Sequence, residues 1–222
     1  MGSAPGSAPL WVALCFWPAG LGLLSQGLQP VPLPQRLLAL ALGLMLMEQS
    51  HMARVDVQQA LAAWKFAPTP QLTRFMTVLA VTILGELMGF YLAAGGWLGL
   101  GMITILLSLL GFNLFANGRF EGYMFQPAGP RSRLGVIAID LVALGLALLW
   151  VVGWGRLAVA GVLLTVSLAY GVAKAYAYAT GRSSLAQPTS PAPAAYASRG
   201  EALAIHIPNA AQQHPQPAQQ NR

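Results

Sequence analysis

Four long apolar runs, residues 75–95, 97–116, 134–154 and 157–179, each match the roughly 20 residues a helix needs to cross about 30 Å of hydrocarbon. Lipid offers a backbone no hydrogen-bonding partner, so runs of this kind must satisfy their amides internally, as helices. Charged residues make up 8% of the 222 residues and apolar ones 56%, whereas a soluble domain carries about a quarter charged residues. The fold class that follows is all-α: a polytopic transmembrane helix bundle with a disordered C-terminal tail.

Two weaker runs bring the expected number of crossings to six. The first, within residues 8–25, is slightly short and contains Pro18, which a membrane helix tolerates when neighbours satisfy the freed backbone groups. The second, within 36–52, is uninterrupted only over 37–47 and spans if Arg36 snorkels at one end and the helix runs past Glu48 at the other. A re-entrant or interfacial segment is its alternative. The remaining spans are expected at 73–95, 97–117, 134–154 and 157–179. Residues 48–66 turn amphipathic, with Val57, Leu61 and Trp64 on one face and Asp56, Gln59 and Lys65 on the other. They form either a helix lying along the membrane surface or a plain extension of the second span.

Gly95-Gly96 and residues 153–156 are too short to be anything but tight turns, so spans three and four, and five and six, are antiparallel hairpins. Both turns lie on one side, while Arg54, Lys65, Arg74, Arg119, Arg131, Arg133 and Arg182 collect on the other. The positive-inside rule makes that basic side, with the C-terminus, cytoplasmic. Trp97, Trp150 and Trp154 then mark the outer interface, and Trp64, Tyr123, Tyr176 and Tyr178 the inner one. From Gly181 to Arg222 the chain is rich in Pro, Gln, Ser and Ala and too poor in large apolar residues to offset the entropy of folding.

The net charge of +6 comes from basic residues scattered singly at the ends of apolar runs, which speaks for topology and against nucleic acid. Cys15 is the single cysteine and can form no intramolecular disulfide. No P-loop, Gly-x-Ser-x-Gly, His-Glu-x-x-His or paired-cysteine motif occurs, so no catalytic, cofactor-binding or metal-binding residues are assigned and the chain is read as not an enzyme. His51 lies three residues from Glu48, too few ligands for a metal site.

Ionisable groups inside predicted spans are costly in hydrocarbon, and each is a candidate intramembrane site. Glu86 lies near mid-membrane on a helix face with Thr82, Gly85, Gly89 and Ala93, and the 85, 89, 93 spacing lets a second backbone come close. Counting from the turn puts it opposite Ile105, between the hydroxyls of Thr104 and Ser108, which could satisfy the carboxyl. It is either an interhelical hydrogen-bonding residue or a group that binds a proton or cation during a cycle; the structural reading is preferred. Asp140 is expected opposite Tyr170, where a snorkelling Lys174 would pair with it and pin the last hairpin; a role in transport is the alternative. Asn113 and Asn117 are expected to cap the fourth helix; lining a cytoplasmic vestibule is the alternative.

The stretch from Gly95 through Phe112-Asn113-Leu114 into the Asp140 helix resembles multi-pass membrane proteins of unknown function from cyanobacteria. The resemblance covers about a third of the chain, includes no diagnostic motif and implies no activity or binding residues. It implies a bacterial plasma membrane or, for a cyanobacterium, a thylakoid; ten arginines against two lysines agree with a GC-rich genome. The expected partners are the lipid bilayer and a membrane-protein complex. The function expected is a non-enzymatic assembly, scaffold or regulatory component of such a complex; the alternative is a small ion- or proton-coupled transporter using Glu86.

Overall fold

The computed structural model describes residues 8–121, 124–126 and 128–179; the tail from Gly181 lies outside them. Six α-helices follow one another: α1 (Ala8–Leu28), α2 (Leu33–Phe66), α3 (Pro70–Ala94), α4 (Leu98–Phe115), α5 (Leu134–Val152) and α6 (Arg156–Ala179). Between α4 and α5 the strands β1 (Arg119–Glu121) and β2 (Met124–Gln126) pair antiparallel, with Phe120 opposite Phe125. Five helices, all but α2, are long and apolar enough to cross a bilayer, which points to a membrane location.

α1 continues unbroken through Pro18, and Tyr91 of α3 donates a 3.1 Å hydrogen bond to the Cys15 carbonyl in the turn that this proline loosens. α2 is one helix of 34 residues, about 51 Å at 1.5 Å per residue, some 20 Å more than hydrocarbon alone requires. Its amphipathic second half therefore continues the same helix past Glu48. Arg36 donates through Nε to the Gly27 carbonyl at 3.1 Å, satisfying one of the open carbonyls at the end of α1. Thr69 caps α3 by accepting from the Leu72 amide at 3.2 Å, and Pro70 at its first position has no amide to leave unsatisfied.

Both predicted turns end in the same motif. Gly96 takes φ +95° while its amide reaches Ala93 and that of Trp97 reaches Leu92; Gly153 takes φ +90° while its amide reaches Trp150 and that of Trp154 reaches Leu149. These are Schellman caps, whose left-handed position favours glycine.

The two hairpins differ beyond their turns. In the first, Gly85 faces Ser108, Gly89 faces Ile105 and the Gly101 backbone, and Gly101 faces Ala93, so α3 and α4 pack through small residues as the 85, 89, 93 spacing predicts. In the second, α5 packs along α4 whereas α6 departs from α5 and packs along α2. The core lies where α1 to α4 meet, around Phe16, Leu23, Leu38, Phe90, Met102 and Ile105. Trp150 is buried in the protein rather than lipid-facing: it is 5% exposed, packs on Gly99, and has the Arg156 guanidinium 5.7 Å from its ring. Trp97 and Trp154 are exposed.

Candidate functional site

Buried polar side chains lie at the middle of α3 and in the first two turns of α5. Three polar residues are fully buried among those described: Thr82 and Glu86, four apart on α3, and Asp140 on α5. Glu86 is 3% exposed. The hydroxyls expected beside it are turned to their own helix: Thr104 donates to the Leu100 carbonyl at 2.9 Å and Ser108 to the Thr104 carbonyl at 3.0 Å. Back-bonding to the preceding turn satisfies a hydroxyl locally in an apolar setting. Asp56 of α2, outside the candidate spans, is close enough for its charge to act on both Glu86 and Arg133. Burial pushes the Asp56 carboxyl up to about 6, opposed by the Arg133 guanidinium, which favours the charged form.

Asp140 does not pair with Lys174. Its carboxylate accepts a 2.8 Å hydrogen bond from Asn113 Nδ2, so Asn113 bridges α4 to α5 in place of the helix cap expected of it. Lys174 is carried away from Asp140 because α6 leaves α5. It pairs with Glu48 of α2, lies 3.7 Å from Met52 Sδ, and has its ammonium 5.4 Å from the Tyr170 ring centroid. The counting that placed Tyr170 opposite Asp140 assumed a hairpin packed along its whole length.

The connection between α4 and α5 forms a cap that composition does not reveal. Phe75, at the start of α3, meets the rings of Phe112, Phe120 and Phe125 edge to face at 5.8, 5.2 and 5.3 Å, and Phe120 meets Phe125 at 5.5 Å. Such offset aromatic pairs add roughly 0.5–1.5 kcal/mol each beyond their area burial. Arg133 sits beneath them, its guanidinium 5.0 Å from the Phe112 ring centroid and donating to the Gly118 carbonyl at 2.6 Å. Gly118 lies against the Phe125 ring, leaving no room for a side chain. The alternation of Phe120 and Phe125 around a short turn is the sequence signal for this hairpin.

Chemically, the Asp56 carboxyl of α2 acts electrostatically on Glu86 of α3 and on Arg133 before α5, and Asn113 separately ties α4 to α5 through Asp140. Such a set can bind or relay a proton, or hold helices in register. His51 is exposed, and no group of three or more metal-ligating side chains comes together among the described residues. No protein-family model, curated protein or solved structure matches the chain.

Proposed function

We propose that the protein is a non-enzymatic assembly, scaffold or regulatory component of a larger membrane complex. In this reading it crosses the bilayer six times, with the basic end of the bundle and the C-terminus cytoplasmic, in a bacterial plasma membrane or a thylakoid. The sixth crossing belongs to the apolar half of α2, whose Leu46 packs over Gly20 and Leu40 over Gly27 along α1. The basic residues Arg54, Lys65, Arg74 and Arg131, all at the end away from the glycine turns, support the orientation.

The observation that carries this reading is the position of α6. Having left α5, it buries Val159 and Ala160 and leaves an open groove of about 630 Å³ lined by Thr165, Leu168, Ala169, Val172, Ala173 and Tyr176. Thr165, Ala169 and Ala173 repeat every four residues, the spacing that admits a second helix closely in lipid. A partner's transmembrane helix fits such a groove. Purification from the native membrane in mild detergent should bring a partner in fixed stoichiometry, and Ala169→Phe should release it without lowering abundance. A lone, monodisperse wild-type protein overturns the reading.

The burial of Glu86 beside Asp56 favours a second reading, a small proton- or ion-coupled carrier in which Glu86 changes occupancy. It requires pH-dependent flux in proteoliposomes that Glu86→Gln abolishes at unchanged abundance. Normal flux or function in that variant removes it.

A further inference from the structure

We propose that the corner between α2 and α3 is a binding site for the headgroup of an anionic phospholipid. An open groove of about 570 Å³ lies there, lined by Trp64, Pro68, Thr69, Pro70, Thr73, Arg74 and Thr77. Its position follows from α3, which begins at Pro70 and is a candidate span. Thr77 is about 10 Å along the axis from Pro70, so the groove runs from the water-facing end of the span to the depth where acyl chains begin.

The chemistry of the lining suits that depth. Trp64, 38% exposed, presents the amphipathic indole enriched at headgroup level. Arg74 opens into the groove, Lys65 follows Trp64 and is exposed, and no acidic side chain lines it. Neither cation is held in an ion pair among the described residues, in contrast to Lys174 with Glu48. Thr73 and Thr77 spend their hydroxyl protons on the carbonyls of Thr69 and Thr73, at 3.1 Å in each case, which presents their methyl groups to an acyl chain. The Leu72 amide at the helix start is taken by Thr69, so the attraction for a phosphate comes from Arg74, with Lys65 adding charge at the nearby surface, and not from the helix end. A cation in a headgroup-level groove, with a second at the surface nearby, favours a phosphodiester with net negative charge over a zwitterionic one.

The test uses the full chain in phosphatidylcholine vesicles that contain a minor fraction of bromine-labelled phosphatidylglycerol or, separately, bromine-labelled phosphatidylcholine. Quenching at Trp64, one of six tryptophans, is isolated by difference from Trp64→Phe. The expected result is quenching by phosphatidylglycerol equivalent to roughly tenfold enrichment over its mole fraction. Quenching by phosphatidylcholine should follow its mole fraction, and Arg74→Gln with Lys65→Gln should remove the excess. Equal quenching by the two lipids overturns the proposal, as does an excess that survives the double substitution. Relief of the quenching by inorganic phosphate in the buffer would assign the groove to a free anion instead. Should the double variant not fold, loss of the excess at raised salt in the wild type serves in its place, and its persistence counts against the site.

Discussion

Asn113 donates to the carboxylate of Asp140 across the α4–α5 interface at 2.8 Å, joining the ends of two apolar helices away from the glycine turns through a single polar pair. A buried carboxylate keeps its charge only with such a partner, and its loss costs the full desolvation of the group left behind.

Asn113→Leu should therefore lower stability in detergent by about 1–3 kcal/mol, since Asp140 is left without its donor. Asp140→Asn, which retains an acceptor oxygen, should cost less than half as much. Thermal midpoints of the two variants and of the pair Asn113→Leu with Asp140→Leu check this; the pair should be closer to wild type than Asn113→Leu alone.

The partner of Lys174 can be read by double-mutant cycles. Lys174→Met with Glu48→Gln should show a coupling of about 0.5–1 kcal/mol, modest because both groups are roughly a quarter exposed. Lys174→Met with Asp140→Asn should be additive. Coupling in the second cycle and none in the first would return α6 to the side of α5.

Glycines separate by what surrounds them. A Cβ at Gly101 would lie 2.7 Å from that of Ala93 and one at Gly89 would lie 2.8 Å from the Gly101 carbonyl oxygen, so Gly101→Ala and Gly89→Ala should each destabilise by about 1–3 kcal/mol. Gly111 and Gly145 have nothing within 4 Å, and Gly145→Ala should be neutral or stabilise by up to about 1 kcal/mol through helix propensity. Detergent-resistant folded fraction after heating distinguishes the two classes.

Helix positions and turns were legible because each rests on local chemistry. Run lengths locate the helices, Gly96 and Gly153 supply left-handed caps, and the 85, 89, 93 spacing announces the α3–α4 contact. What could not be read depends on where a helix goes after its turn. Arg156 begins a helix equally able to lie along α5 or α2; the apolar faces of both accept it, and no residue in the turn decides. That choice moved Lys174 from Asp140 to Glu48 and freed Asn113 to serve Asp140. Glu86 was recognised as costly to bury, but its electrostatic neighbour Asp56 is 30 positions away on a helix whose path past Glu48 was open. The aromatic cap was missed because Phe75 and Phe112 read as span residues, and nothing in an apolar run distinguishes a ring facing lipid from one facing a hairpin.

The cap should be held by its aromatic contacts and by Arg133 together. Phe125→Ala removes edge-to-face contacts with both Phe75 and Phe120 and should cost about 2–4 kcal/mol. Arg133→Gln loses the cation over Phe112 and weakens the bond to the Gly118 carbonyl. Limited proteolysis between β1 and β2 should accelerate in both variants, while the α3–α4 hairpin remains protected.

Asp56 gives the protein a dependence on pH whose sign is fixed by the direction of its shift. Its carboxyl is raised from 3.8 to about 6 by burial, so the folded state binds the proton more tightly than the unfolded state does. Between these values stability falls as pH rises, because ionisation costs more in the fold than in water. Arg133 offsets part of that cost without reversing it. The thermal midpoint in detergent should therefore drop as pH goes from about 4 to 6, with the slope fading as pH passes about 6. Asp56→Asn should match the wild type below about pH 4 and exceed it at pH 7.5, by several degrees for a loss of up to about 3 kcal/mol. Glu86→Gln should leave a fall with pH in place, since Asp56 remains buried beside Arg133. A wild-type midpoint that rises through this window would show that the Arg133 attraction outweighs burial at Asp56.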